Sequence, residues 1–574
     1  MIPSARLWLW VVAVLAIRFL VAAVLPVTTD EAYYAIWSTN LSWGYFDHPP
    51  MVALGGLLRD LAGPEFSANP LIMRLPVVLL ASLIIPASLH AVARRLGARQ
   101  PTLAVFIFCA SFAGIASGVL LTPDAFLMVF WTASLLAAIL VIDGLMKPLE
   151  RLPVLNAITC GIFFGLGMLA KYTFALMPLI FTWMLLFNRS LRTVPLTRRA
   201  SAFALTTVTA VLVFSPHVIW NARHQWATFG FQLRHGFAGD HGAAPLEDGF
   251  EPPPAPSRLP YSRLDDRLAG FFSQYDAVLS KRSAVVKPAP PRRTKGKLEQ
   301  GAKWFWEYLG SQLAAPGLLL PAAAIMIFRE RRTRRPVARS EKPDPALALT
   351  RLAAWVPFAF FGLFAPFTKV EANWPAMGFA GVAILAALHP AWSLGEERKP
   401  RLEHSLLPAG IGNALILLAI ATLAIQPQLR AAISSKPDRI SEETSGFSSI
   451  ANFVAGRWNQ RNTPLFVDKY QWTAMIKLHR PDASVQQIRG ITRDAEFTRA
   501  GKWQSVDAST FRKLPGISLL TSEDRPPRFE AFAPAGVEML CVKPDGSLGN
   551  TLEVGSDPLA SCHRTLFLYD YRPW

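Results

Sequence analysis

The chain has 574 residues, of which 52% are hydrophobic and only 17% charged, and a formal net charge of +18. Soluble proteins carry about a quarter charged residues, so the composition excludes an ordinary soluble enzyme and points to an α-helical polytopic membrane protein. The positive charge does not indicate nucleic-acid binding, because the basic residues lie between apolar runs rather than along one soluble face.

Taken in chain order, apolar runs near 7–26, 71–93, 102–120, 125–143, 154–170, 173–188, 201–220, 308–328, 350–367, 374–390 and 405–426 predict about eleven transmembrane helices at 1.5 Å per residue. The first run continues too smoothly for a cleaved signal peptide and reads as a signal anchor. Basic clusters follow alternate spans: Arg94, Arg95 and Arg99; Lys147 and Arg151; Arg189, Arg192, Arg198 and Arg199; Arg329 to Arg335; and Arg398, Lys399 and Arg401. All fall on one side if the N-terminus, with Arg6, is cytoplasmic, giving an N-in, C-out topology. The opposite, periplasmic side then receives 28–70, 121–124, the turn at Lys171, 217–303, 368–374 and everything after Gln426.

Residues 237–300 form a Pro- and charge-rich insertion (EPPPAPSR, KPAPPRRTKGK), expected to be mobile because such composition buries little. Within it, Leu264 to Leu279, with Phe271 and Phe272, is expected to lie on the membrane surface. After Gln426 the composition shifts to short β-type runs and helical stretches. The division is thus a membrane region over 1–426 and a periplasmic α/β soluble domain over 427–574, long enough for its own core. Cys109 and Cys160 fall inside apolar runs, whereas Cys541 and Cys562 lie in the polar tail and are a disulfide candidate in an oxidising compartment.

The polar residues of interest cluster at the span ends of the periplasmic side. Asp30 and Glu31 leave the first span; a carboxylate there suits a general base, and equally a helix cap after Thr28-Thr29. Asp124 opens the fourth span beyond Leu121-Thr122-Pro123, near the positive end of a helix. Asp47-His48-Pro49-Pro50 is stiffened by its prolines. Lys171 and Tyr172 interrupt two apolar runs, where an ammonium either snorkels or meets a lipid phosphate. His217, Asn221, Arg223 and Arg234 add donors, and Glu371, Asn373 and Trp374 combine polar groups with a ring suited to a sugar. No phosphate-cradling glycine loop and no catalytic serine motif occurs.

The motifs DEAYYAIW…GYFDHPP, LTPD, GLGMLAKYT, HVIWNARHQWATFGFQLRHGF, FWEYLGSQ and VEANWPA resemble the bacterial branch of the GT-C membrane glycosyltransferases, the protein O-mannosyltransferase/ArnT-like group, over about residues 8 to 390. The resemblance implies transfer of a sugar from a polyprenyl-phosphate donor to an envelope acceptor (lipopolysaccharide, lipid A or another glycan) with inversion at the periplasmic face of a bacterial inner membrane. A secreted protein as acceptor, and a lipid-linked-sugar flippase, are the alternatives. It implies catalytic acids at Asp30, with Glu31 adjacent, and at Asp124, and phosphate donors at Lys171, His48, Arg223 and Arg234. A substrate pocket then comprises Tyr33, Tyr34, Asp47, Tyr172, His217, Asn221, Glu371, Asn373 and Trp374. The chain departs from the ArnT-like pattern twice, with His48 where that pattern carries lysine and Tyr33 where DETRY carries arginine. The chemistry requires no cofactor, and a divalent metal held by Asp30, Asp47 and Glu31 is left open.

Overall fold

A computed structural model of the chain describes residues 4–147, 152–237, 250–257, 261, 264, 266–285, 296–324, 344–389, 406–426, 428–429, 439–461, 463–499, 503, 506–543, 545–549, 562 and 564–574. Six of the helices in these residues are long and apolar enough to cross a membrane: Leu7–Val24, Pro70–Arg95, Pro123–Met146, Leu196–Arg223, Pro345–Phe364 and Leu406–Ile425. Three shorter apolar helices, Val154–Ala170, Tyr172–Phe187 and Gly378–Ala387, pack among them. Pro123–Met146 is the central helix, apolar all round and almost wholly buried, as a helix surrounded by other helices must be.

Two of the expected spans are interrupted. The run over 102–120 is two helices, Pro101–Cys109 and Phe112–Ala116, the second capped by Ser111 Oγ, which accepts from Gly114 N. The run over 308–328 follows suit: Lys297–Ala314 ends, and the chain turns at Gly317 (φ +60°) before a further helical piece over 319–324. Its remainder lies outside the described residues. Backbone groups freed inside an apolar core must find partners, and here the breaks serve each other. Ala113 N donates to Ala315 O, and Asn413 Nδ2 donates to both Ala110 O and Pro316 O while its Oδ1 accepts from Leu318 N. Arg18, fully buried in the first helix, donates to Gly114 O at 2.7 Å and Ser82 Oγ at 3.4 Å.

The tail holds a six-stranded mixed sheet in the order β2-β1-β3-β6-β4-β5. Its strands are β1 Leu465–Val467, β2 Val485–Gln487, β3 Ile517–Thr521, β4 Phe532–Val542, β5 Leu548–Gly549 and β6 Arg564–Pro573. β1 pairs in parallel with β2 and β3, and the remaining pairs are antiparallel. Alternation along β6 sends Leu566 and Leu568 to one face and Phe567, Tyr569 and Tyr571 to the other, as the two-residue period of a strand dictates. Helices Phe447–Arg461 and Tyr470–His479 cover the first face. A disulfide joins Cys541 to Cys562.

The second face corrects an expectation. The segment expected on the membrane surface belongs to helix Asp266–Val285, which lies on the sheet. Leu268, Phe272 and Tyr275, at helical spacing, are buried with Phe567 and Tyr569, and Arg525 of the tail pairs with Asp276 at 2.7 Å. A strand-like bridge from Ser257 to Arg528 fastens the same insertion. The described part of the insertion therefore supplies an apolar stripe to the tail; 238–249 and 286–295 lie outside the described residues.

Candidate functional site

The site grows from the exit of the first helix. Thr28 begins helix Thr29–Ile36 with a capping box: Glu31 N donates to Thr28 Oγ1, and Thr28 N donates to Glu31 Oε2. Adjacent helical residues point about 100° apart, so Asp30 and Glu31 part company. Glu31 is fully buried and meets Arg74, whose Nε and Nη2 donate to its two oxygens at 2.7 and 2.6 Å. Leu121 N also donates to Glu31, and Arg74 spends its other N–H groups on the carbonyls of Ala22, Leu25 and Pro26. Glu31, expected beside the reacting groups, is thus a structural lock joining the first helix, the loop and the Leu121 turn.

Asp30 turns the other way and is exposed. Tyr470 Oη donates to its Oδ1 at 3.3 Å, and among the described residues Asp30 has no ion pair. Loss of hydration among the surrounding groups raises its pKa above the ordinary carboxylate value, and Glu443 pushes it further up. Arg493 and the Tyr470 hydroxyl pull it back.

Asp47 is buried and doubly held. The Tyr33 hydroxyl donates to Oδ2, and Arg493 Nη1 donates to Oδ1 at 2.7 Å. Glu496 N in turn donates to the Tyr33 oxygen, and the Glu496 carboxylate accepts from Phe46 N, Arg499 and Trp503. Ring stacking of Trp37 on Tyr45 and the contact of Tyr34 with His48 complete an aromatic floor. Gly44 lies against the Trp220 indole, where a Cβ would sit 2.2 Å from a ring carbon; only glycine allows that approach.

A second cluster forms where Lys171 meets Asp124, Nζ donating to both carboxylate oxygens at 2.7 and 2.9 Å. Asn373 donates to the same carboxylate, and Trp374 lies 5.9 Å from the ammonium. Lys171, expected to face a phosphate, is therefore matched to Asp124. Glu371 does not join its neighbours in this cluster and pairs with Lys369 at the surface. We expect Lys171→Ala and Asp124→Asn each to lower the unfolding midpoint, and the double variant to lose less than the two losses added together. The coupling should exceed about 0.5 kcal/mol; strict additivity would show that the two groups act separately.

His217 is fixed by Trp43 O, which accepts from Nδ1 at 2.6 Å, so Nε2 is the acceptor facing Tyr172 Oη at 2.5 Å and Asn221 Nδ2 at 3.1 Å. Tyr172 stacks on Phe229. Asn221 Oδ1 accepts from Thr228 N and Phe229 N, closing a turn in which Gln225 and Trp226 hold positive φ. His217, Asn221 and Tyr172 thus brace the turn that carries Gln232, whose amide donates to Asp47 O and lies 3.3 Å from His48 Nδ1. Arg223 ends the helix before this turn and Arg234 lies within helix Ala227–Phe237 after it, both exposed.

Asp30, Asp47 and Glu31 do not fit a divalent-metal site, because Glu31 is committed to Arg74 and Asp47 to Arg493 and Tyr33. Among the described residues no three His, Cys, Asp or Glu side chains gather in a metal-holding group. Sequence reasoning missed Arg74, Tyr470, Arg493 and Glu496. Arg74, a cation inside an otherwise apolar run, carried a readable signal; the three tail residues carried none.

A family model described as dolichyl-phosphate-mannose-protein mannosyltransferase matches residues 47–220. No curated protein sequence matches the chain. Among solved structures, the chain is similar to ArnT from Cupriavidus metallidurans bound to undecaprenyl phosphate, with 14% identity over 99% of this chain and 98% of that one and a TM-score of 0.56. The apo state of the same enzyme gives 14% identity over 91% and 94%, with a TM-score of 0.52. At such identity the likeness speaks to the fold, and it extends through the tail as well as the membrane helices.

Proposed function

We propose that this chain is a membrane glycosyltransferase of the GT-C superfamily and that it transfers a sugar with inversion from a polyprenyl-phosphate donor to a hydroxyl of an envelope glycolipid or glycan at the periplasmic face of the inner membrane. The observation that carries this reading is the standing of Asp30. Glu31, Asp47 and Asp124 are each matched by a cation, whereas Asp30 is exposed at the membrane exit without one among the described residues. A carboxylate with a raised pKa and open access is suited to accept a proton.

In the reaction, the acceptor oxygen bonds to the anomeric carbon as its proton passes to Asp30. The bond from that carbon to the phosphate oxygen breaks on the opposite face, and the electron pair leaves with the polyprenyl phosphate. His48, Arg223 and Arg234, near the braced turn, meet the phosphate charge. Lys171 holds Asp124 and Asn373 in place beside Trp374, where a sugar ring stacks. The ArnT structure bound to undecaprenyl phosphate supports a carrier of that class.

The test is incubation of the purified protein with a labelled polyprenyl-phosphate sugar and, separately, a lipid A glycolipid and an unfolded secreted protein. Transfer to the glycolipid is the expected result. Label moving only onto the protein would reassign the acceptor, and movement across liposomes without transfer would overturn the reading. Reporters fused at Met1 and Trp574 should lie on opposite sides of the membrane; a shared compartment would overturn the periplasmic placement.

A further inference from the structure

Asp30 is approached from the tail by residues 440 and more positions away in sequence. Arg493 Nη1 donates to Asp47 Oδ1 at 2.7 Å, and its guanidinium lies 4.3 Å from the centre of the Tyr470 ring. Tyr470 Oη donates to Asp30, and its ring packs 4.5 Å from Tyr33, itself bonded to Asp47. Asp47, Tyr33, Tyr470 and Arg493 thus form a closed circuit to which Asp30 is joined through the Tyr470 hydroxyl, with Asp47 and Tyr33 before the second long helix and Arg493 and Tyr470 on the tail.

We infer that Arg493 and Tyr470 are positioning residues for the transfer reaction, by which the soluble tail holds Asp30 charged and aimed at the acceptor hydroxyl. This rests on Asp30 acting as the base. The groups facing Asp30 are Glu443 from helix Arg439–Thr444, Asp47 and Tyr34 from the loop region, and Tyr470 and Arg493 from the tail. Partial loss of hydration among the surrounding groups, Glu443 and Asp47 disfavour the charged carboxylate, while Arg493 and the Tyr470 hydroxyl favour it. Removing Arg493 leaves acids as the facing charges and also strips Asp47 of its counter-ion. Both changes act in one direction: the pKa of Asp30 rises, and the base is lost at higher pH.

The experiment is the pH dependence of kcat for the full-length protein and its Arg493→Met, Arg493→Lys and Tyr470→Phe variants. The acid limb should move up by about one pH unit in Arg493→Met, the size of effect one nearby charge exerts. It should move up less in Tyr470→Phe, and return toward its original place in Arg493→Lys. If Arg493 merely fastens the tail, activity falls equally at every pH and the limb stays where it was, which overturns the inference. Should Arg493→Met not fold, Tyr470→Phe, which removes one hydroxyl and keeps the ring, decides by the same readout. Asp30→Asn separates the two claims. Near-normal turnover in that variant removes Asp30 as base, whereas a dead Asp30→Asn with unmoved limbs in the tail variants removes only the role of Arg493 and Tyr470.

Discussion

Asp30→Asn is expected to reduce kcat by about 10²- to 10⁴-fold, the range for loss of a positioned general base, while the protein stays folded. The amide keeps the size of the carboxylate and can still accept from Tyr470 Oη. No ion pair among the described residues is lost, so the thermal unfolding midpoint should move little. In the unsubstituted protein the acid limb of kcat should lie above the ordinary carboxylate range. The folded pKa of Asp30 is raised, so the base is protonated, and activity lost, as pH falls through that raised value. Rate measurements across pH, paired with unfolding curves in detergent, check both statements. A variant that turns over normally, or one that unfolds, would each remove the assignment in a distinct way.

Arg74→Ala is expected to have the largest effect on stability. It leaves the buried Glu31 carboxylate without its cation and strands three backbone carbonyls at the end of the first helix. Breaking a buried pair from one side typically costs about 3–5 kcal/mol. Glu31→Ala should be comparably severe, since it also removes half of the capping box and the acceptor of Leu121 N. Replacing both residues with leucine or methionine should destabilise less than either single change, because no uncompensated charge remains. Unfolding midpoints in detergent measure all three; a double variant worse than both singles would contradict the account.

The adjacent carboxylates Asp30 and Glu31 show what the residues alone disclose. Their place after a long apolar run and the Thr28-to-Glu31 spacing were readable, because both follow from local periodicity and capping chemistry. Which of the two would be buried was not, since that depends on Arg74, 43 residues away across a helix packing. Lys171 and Asp124 were readable as polar residues at span ends, but their mutual pairing needed the packing of separate helices. Helix count was blurred for a related reason. An apolar run does not reveal that Ser111 or Gly317 interrupts it, because the partners that make each break tolerable, Arg18 and Asn413, sit in other spans. Arg493 lay beyond reach altogether: it is one arginine among many in the tail, joined to Asp47 across 446 positions. The amphipathic stripe of Leu268 and Phe272 was visible, but a lipid surface and a sheet face present the same apolar chemistry to it.

The seam between loop and tail also bears on how the protein is made. Tyr33, Phe46, Asp47 and Ser67 emerge early in synthesis, yet their partners Glu496, Arg493 and the Leu478 carbonyl follow 411 to 463 positions later. A ribosome-bound chain that has already inserted its first helices therefore carries unmatched loop groups until these later residues have folded against them. Completion of the site is tied to synthesis through Arg493 and Glu496, and a chain stopped before β3 would have its loop held yet lack the sheet that backs it.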